Sequence, residues 1–141
     1  MKLSRTVSYA LQATLQLAQS HSDEPIPCNR LAAEGKMPER FLLQILRNLV
    51  AHGILESTRG VDGGYSLERN PKEVSLLEVI EAVDGPLISA LPVHDGLPSG
   101  SKSKLEQKLL EVTELARREL AAVTLAHLLP DPNRPAPNSN E

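Results

Sequence analysis

The chain has 141 residues, which suits one domain with an appended element, and no apolar run in it is as long as a membrane span. The N-terminus lacks the continuous apolar stretch and cleavage site of a signal peptide, so we expect a cytoplasmic protein. The net charge of −3 is distributed unevenly along the chain. Residues 1–69 carry 8 Lys and Arg against 7 Asp and Glu, whereas residues 70–141 carry 7 against 11. The acidic excess therefore lies in the second half, and a basic surface in the first half is possible.

Apolar spacing predicts three helices before residue 54. The first is amphipathic and extends to about residue 19, because apolar side chains recur there every three or four positions. A short second helix covers residues 28–34, and Gly35 follows where a helix C-terminus favours positive φ. The third begins at Pro38, which a first turn tolerates, and ends near Gly53. Three short helices with short connections are typical of a helix-turn-helix unit.

The sequence period changes after the third helix. Residues 54–59 and 65–69 have strand-like composition and flank the glycine-rich stretch GVDGG, which supplies the positive φ values that a tight hairpin needs. This stretch is not a nucleotide-binding loop, because no lysine follows the glycines and it leads into a strand rather than a helix. It remains a hairpin tip, with or without a function. A hairpin placed after a helix-turn-helix unit is the outline of a winged helix.

Two capping boxes mark helix starts in the second half. Ser75 to Glu78 opens a fourth helix that stops at Gly85, so a winged helix-turn-helix domain is expected over residues 1–85. A Pro-, Gly- and Ser-rich loop covers residues 86–101. A second box, Ser103 to Glu106, opens a long helix predicted over residues 102–129, and residues 130–141 are expected to be a disordered tail.

The apolar seam of the long helix lacks a comparable partner in its own chain, so a second copy, and hence a homodimer, is expected. The fold class is mainly α with a small β-hairpin.

Polar side chains of the third helix suit a DNA major groove. Arg40, Gln44 and Arg47 are spaced by four and three residues, which places them on one face away from the apolar stripe. Arginine binds guanine or phosphate, glutamine reads adenine, and Leu43 beside them could contact a thymine methyl group. A solvated helix face would by itself explain the same residues, and the adjoining hairpin is what favours DNA binding.

The chain resembles the Rrf2 family, the bacterial winged-helix transcription regulators of the IscR and NsrR type, over roughly residues 1–129. The resemblance rests on the segments MKLSRTVSYALQATLQLA, MPERFLLQILRNLVAHGIL, RGVDGGYSL, NPKEVSLLEVIEAVDGP and TLAHLL. It implies a homodimer crossed through its long helices, with two winged helices on pseudo-palindromic double-stranded DNA. The implied contacts are made by Arg40, Leu43 and Gln44 in the major groove, by Arg59 with Gly60 at the minor groove or its phosphates, and by Lys2 and Arg5 on phosphates.

The sequence departs from that resemblance in the loop before the long helix. Family members that sense iron, nitric oxide or redox state hold an iron–sulfur cluster there with three cysteines, whereas PLISALPVHDGLPSGS has none. Its only ligand-type side chains, His94 and Asp95, cannot hold such a cluster. We therefore predict neither metal nor cofactor. Cys28, the single cysteine, is either a redox switch activated by a helix N-terminus or, more simply, a small apolar residue.

These observations predict a cluster-free, dimeric, sequence-specific DNA-binding regulator. Its effector would be a small molecule, lodged between the winged helix and the dimer helix, or a protein partner. The alternative is a winged-helix protein-interaction module that has lost DNA binding. No nucleophile–base pair or paired carboxylates converge in any motif, so an enzyme is not expected.

Overall fold

The computed structural model describes residues 1–20, 23–89 and 96–131. Six helices and two strands lie within these residues, which confirms the mainly helical fold with a small hairpin. They are α1 (Arg5–Gln19), α2 (Cys28–Gly35), α3 (Glu39–Ala51), β1 (Leu55–Thr58), β2 (Gly64–Leu67), α4 (Leu76–Asp84), α5 (Ser101–Ala122) and α6 (Leu125–Leu128).

The core lies among α1 to α4, the hairpin and α6, and it is aliphatic, as the scarcity of aromatic residues predicts. Its largest fully buried side chains are Leu31, Leu42, Leu46, Leu49, Ile54, Leu55, Leu125, Val7, Val74, Val79 and Thr14. The last of these is polar, and its hydroxyl donates to the Leu11 carbonyl oxygen at 3.0 Å, so burial leaves no unpaired donor there.

Gly35 has a different role from the one that the sequence predicts. The left-handed residue at the end of α2 is Lys36, with φ 54°, and Gly35 is the last residue of the helix itself. A Cβ atom at Gly35 would lie 2.7 Å from the side-chain nitrogen of Gln12. The glycine therefore gives room to side-chain ends that lie between α2 and α1 and does not supply a positive φ.

The hairpin is held to the helices by the segment between α1 and α2. β1 and β2 pair antiparallel, with Leu55 opposite Leu67 and Thr58 opposite Gly64. Beside them, Ile26 exchanges two backbone hydrogen bonds with Tyr65, of 2.9 and 2.8 Å. A Cβ atom at Gly64 would collide with the Ile26 backbone, so only glycine allows this approach.

The predicted capping box of α4 is confirmed. The Ser75 hydroxyl accepts from the Glu78 backbone N–H at 3.1 Å, and the Glu78 carboxylate accepts from the Ser75 N–H at 2.9 Å. Arg69 also donates to Glu78 at 2.8 Å. Partial burial by itself would raise the pKa of Glu78, but the hydrogen bonds from Ser75 and Arg69 outweigh it and lower that pKa. Arg69 thus fastens the end of the hairpin to α4.

The long helix differs from the prediction at both ends. α5 begins at Ser101 after Gly100, which has φ 83°, so the expected capping box at Ser103 is wrong. The helix stops at Ala122 rather than near residue 129. Thr124 caps the separate helix α6, its hydroxyl accepting from the His127 N–H at 3.4 Å. This turn returns the chain to the core, where Leu125 is fully buried.

α5 contacts its own chain chiefly through α4 and the residues that follow it. Arg117 donates to the Glu81 carboxylate at 2.9 Å and to the Leu87 carbonyl oxygen at 3.2 Å. The hydrogen bond from Arg117 lowers the pKa of Glu81. None of the 22 residues of α5 is buried. A helix of this length is about 33 Å long, and most of its apolar surface therefore has no cover within one chain.

Candidate DNA-binding surface

The exposed face of α3 carries the three side chains predicted to enter a DNA groove. Arg40, Gln44 and Arg47 are all exposed, opposite a buried stripe that includes Leu42 and Leu46. Gln44 donates to the Asn48 side-chain oxygen at 3.3 Å, a long bond that an adenine could replace. The helical repeat of 3.6 residues accounts for the arrangement, because spacings of four and three residues return to the same face.

Three other arginines form ion pairs, whereas Arg118 of α5, like the cations of this surface, forms none with the carboxylates that the structure describes. Among the residues that the structure describes, Arg30, Arg69 and Arg117 each form an ion pair with a glutamate. No carboxylate in that part of the chain lies within ion-pair distance of the five cations predicted to contact DNA, which are Lys2, Arg5, Arg40, Arg47 and Arg59. All five are exposed, so their charge is available to a phosphate.

Leu43 is less available than the sequence indicates. It is half-buried, whereas its neighbour Phe41 is 47% exposed. The Phe41 ring meets the ring of Tyr9 edge to face, with 6.0 Å between the centroids and 78° between the planes. This contact places the exposed edge of α3 beside the first turns of α1. Sequence reasoning missed Phe41, although its position next to Arg40 in a chain with so few aromatic residues was a usable signal.

The turn between β1 and β2 forms an exposed tip. Gly60 has φ 110°, and its carbonyl oxygen accepts from the Gly63 N–H at 3.1 Å. A Cβ atom at Gly63 would collide with the backbone of β1, so this glycine is required for steric reasons. The side chains that remain outside are those of Arg59, Val61 and Asp62, and all three are exposed. One cation and one carboxylate therefore occupy the same tip.

The start of α1 is fixed by a single serine. The Ser4 hydroxyl accepts from the Val7 N–H at 3.1 Å and donates to the Asp84 carboxylate, 2.8 Å from its nearer oxygen. Lys2 and Arg5 lie on either side of Ser4 and are exposed. A cation in the first turn opposes the helix dipole, so Arg5 does not stabilise α1 and remains available for a ligand.

The predicted residues form three separate groups, at the start of α1, on α3 and at the hairpin tip. No hydrogen bond joins any two of them in the described ranges, 1–20, 23–89 and 96–131. The contact of Tyr9 with Phe41 joins α1 to α3, and Tyr9 follows Arg5 by four residues on α1. The third group, at the hairpin tip, follows α3 along the chain through β1.

Cys28 lies at the N-terminus of α2 but lacks the activation expected there. Its thiol is half-buried, 3.7 Å from the Glu39 carbonyl oxygen. Burial raises the pKa of the Cys28 thiol, and the charge of Glu39 raises it further. The direction is opposite to the one that a redox switch at a helix N-terminus requires.

Neither a metal-binding cluster nor a membrane-spanning helix occurs in the part of the chain that the structure describes. Across residues 1–20, 23–89 and 96–131, no group of three His, Cys, Asp or Glu side chains could hold a metal ion. His94 and Asp95 lie outside the described residues. None of the helices described is long and apolar enough to cross a membrane.

Comparison with known proteins identifies the family of this chain. The family model for Rrf2, described as an iron-dependent transcriptional regulator, matches residues 3–131. The chain belongs to the Rrf2 family. A relative from Mycobacterium tuberculosis, whose name places it among HTH-type transcriptional regulators, is 36% identical over 128 residues, covering 89% of this chain and 80% of the relative. Proteins of this family are transcription regulators rather than enzymes, and the hairpin of this Rrf2 chain is the wing of a winged helix.

Two solved structures of Rrf2-type regulators show the same fold. IscR of T. potens is 28% identical, with a TM-score of 0.67, and the match covers 91% of this chain and 85% of IscR. CymR of Bacillus subtilis, described as its global cysteine regulator, is 24% identical, with a TM-score of 0.72 over 91% of this chain and 95% of CymR. At that identity CymR supports the fold alone.

The donor set of this Rrf2 protein does not fit an iron–sulfur cluster, despite the iron dependence in the family description. Such clusters are held mainly by cysteine thiolates, usually four, and the whole sequence has one cysteine. That cysteine, Cys28, lies in α2 within the winged helix, and burial raises the pKa of its thiol. Even two chains together would supply only two thiolates.

Proposed function

We propose that this Rrf2-family protein is a sequence-specific DNA-binding regulator that acts as a homodimer and works without an iron–sulfur cluster. The observation that carries the proposal is the set of five exposed cations without carboxylate partners, grouped at the start of α1, on α3 and at the wing. Exposed cations on the second helix of a helix-turn-helix and on a neighbouring wing are typical of proteins that contact the grooves and phosphates of duplex DNA.

In this proposal α3 lies in the major groove. Arg40 and Gln44 contact base edges, and Arg47 contacts bases or the phosphates along the groove wall. Leu43 lies at the margin of this contact because it is half-buried. Hydrogen bonds to guanine and adenine in the major groove carry the sequence preference, since that groove distinguishes all four base pairs.

The other cations position the protein on the DNA backbone. Arg59 binds in the minor groove or on its phosphates, and Gly60 allows the wing to turn there because its φ of 110° disfavours any side chain. Lys2 and Arg5 contact phosphates from the start of α1. These contacts contribute affinity and salt dependence rather than sequence preference.

The homodimer is supported by the uncovered apolar surface of α5. An apolar seam runs along one side of the helix at spacings of four and three residues, formed by Leu105, Leu109, Val112, Ala116 and Leu120. Leu105 and Val112 are 39% and 54% exposed, and neither has a cover in its own chain. A second α5 packed in the same way would bury both seams, and its two-fold symmetry would present two winged helices to a palindromic site.

Without a cluster, the regulatory signal must reach the protein in another way. A cavity of about 600 Å³ lies between the residues after α4 and α5, lined by groups that include Ile88, Leu110 and Arg117. Its position supports a small-molecule effector lodged between the winged helix and the dimer helix. A protein partner that grips the dimer is the other candidate signal.

One observation favours the alternative of an interaction module. Asp62 is exposed at the wing tip, where a carboxylate would repel the DNA backbone. Selection from a pool of random duplexes distinguishes the two functions. We expect an enriched palindromic site and weaker binding by Arg59→Ala. No enriched site, together with unchanged binding by Arg59→Ala, would favour the interaction module.

A further inference from the structure

The Tyr9–Phe41 pair is an aromatic surface that the contacts described above do not use. Phe41 is the only phenylalanine of the chain and leaves 47% of its surface exposed. Tyr9 packs against the hydrophobic core, and its ring holds Phe41 at a centroid distance of 6.0 Å. The edge-to-face contact therefore fixes the Phe41 ring at the surface instead of covering it.

The position of Phe41 on α3 relates it directly to the proposed base contacts. It follows Arg40 and precedes Gln44 by three residues, so it flanks their common face on the side of α1. Leu43 lies on the opposite flank and is half-buried. Of the two apolar side chains that border this face, Phe41 has the larger exposed surface.

We propose that Phe41 recognises the C5-methyl group of one thymine in each half-site and so determines part of the sequence preference. The inference rests on the proposed function, because it needs α3 in the major groove. An apolar side chain against a thymine methyl group is a direct means of distinguishing that base. Contact removes both the methyl group and the ring edge from water, and the ring loses little freedom because Tyr9 already holds it.

Uracil provides a probe that removes only the methyl group. The full-length protein is bound to its selected site, and each thymine is replaced singly by deoxyuracil. For the unaltered protein we expect about fourfold weaker binding at one thymine of each half-site, the value for losing one buried methyl group. This loss of affinity on replacing thymine by uracil, the uracil penalty, should be absent at the other thymines.

Two variants connect that penalty to Phe41. Phe41→Ala should bind the thymine and uracil duplexes equally, at an affinity no higher than that of the unaltered protein for the uracil duplex. Its fold should persist, since the side chain is half exposed, and circular dichroism checks this. Phe41→Leu should retain part of the difference between the two duplexes. Leu43→Ala removes the competing apolar side chain of the same face, and loss of the difference in Leu43→Ala but not in Phe41→Ala would assign the methyl contact to Leu43 and overturn the role of Phe41.

The results also separate this inference from the function on which it rests. An enriched site at which no thymine responds to uracil, or a uracil penalty that persists in Phe41→Ala, would overturn the role of Phe41 and leave DNA binding intact. A half-site without thymine would do the same. If no site is enriched, the proposed function fails and the inference fails with it.

Discussion

At the scale of single residues, ion pairing identifies two arginines as structural, but the absence of an ion pair does not by itself mark an arginine as DNA-binding, since Arg118 of α5 is exposed and has no ion pair among the described residues. Arg69 and Arg117 each donate to a glutamate and to a backbone carbonyl oxygen, and each joins two elements of the fold. Arg40 and Arg47 have no such carboxylate among the described residues. Composition cannot reveal this difference, because it depends on which acidic side chains the fold brings near each cation.

Arg40→Ala tests whether an unpaired cation of α3 reads sequence. We expect binding to the selected site to weaken by about 1–3 kcal/mol and the preference at one base pair of each half-site to relax, because a bidentate contact is lost. Competition between the site and its single-base variants measures this. Arg118→Ala, which removes an exposed arginine of α5, is the matched control. Equal losses on all sequences would show that Arg40 contacts only phosphate.

The Cys28 thiol provides a pH-dependent test. Because burial and Glu39 raise its pKa, less thiolate is present at any given pH in the folded protein than in the unfolded chain. We expect iodoacetamide to modify Cys28 more slowly in native protein than in guanidinium chloride, with the native rate still rising above the pH at which an ordinary thiol has ionised. Faster modification of the native protein would restore the redox interpretation.

At the scale of elements, the local rules of the sequence predicted the helices and the hairpin but not their junctions. The period of α3 and the Ser75 capping box depend on neighbouring residues alone, and each is found as predicted. The wing glycines are found as predicted only in part, since Gly60 and Gly64 have positive φ and Gly63 does not. The pairing of Ile26 with Tyr65 joins residues far apart in sequence. The end of α5 at Ala122 also depends on distant contacts, since the chain turns back there, the Leu125 N–H donates to the carbonyl oxygen of Val74 just before α4, and α6 packs on α1.

The candidate site was predictable to a similar extent. The face formed by Arg40, Gln44 and Arg47 follows from helical spacing, and all three side chains are exposed. The relative exposure of Phe41 and Leu43 does not follow from spacing. It is decided by the packing of α1 on α3, where Tyr9 meets Phe41, and a single sequence contains no direct measure of that contact.

Two glycines of the wing should respond differently to alanine. Gly60→Ala places a side chain in open space at positive φ, and we expect the free energy of unfolding to fall by about 1 kcal/mol. Gly64→Ala forces a Cβ atom into the Ile26 backbone, and we expect a loss of about 2–4 kcal/mol together with weaker DNA binding. Urea denaturation measures both. Equal losses would mean that the Ile26–Tyr65 contact does not hold the wing.

At the scale of the whole molecule, the winged helix and α5 have different surfaces. The winged helix has a buried aliphatic core, whereas α5 has no buried residue and exposes Leu105, Leu110, Val112 and Leu115. Such a helix is typical of an element that becomes buried only on association. Dimerisation would also fix the spacing of two winged helices, so affinity for DNA should depend on it.

A charge placed in the α5 seam tests the dimer. Val112→Asp should give a monomer at micromolar concentration, because two carboxylates would face an apolar interface, and DNA affinity should fall with it. Gln107→Asp introduces the same charge on the opposite side of α5 and should remain dimeric. Sedimentation velocity measures both. A dimeric Val112→Asp would place the interface elsewhere.

The most direct measurement of the central claim is the affinity of the full-length protein for its selected palindrome and for a scrambled duplex of equal length, across a range of salt concentrations. We expect the palindrome to bind at least about 1,000-fold more tightly than the scrambled duplex. Affinity for both should fall steeply with salt, and Arg59→Ala should reduce the slope by about one for each protomer. Equal affinities for the two duplexes, or binding that does not change with salt, would contradict sequence-specific DNA binding by this protein.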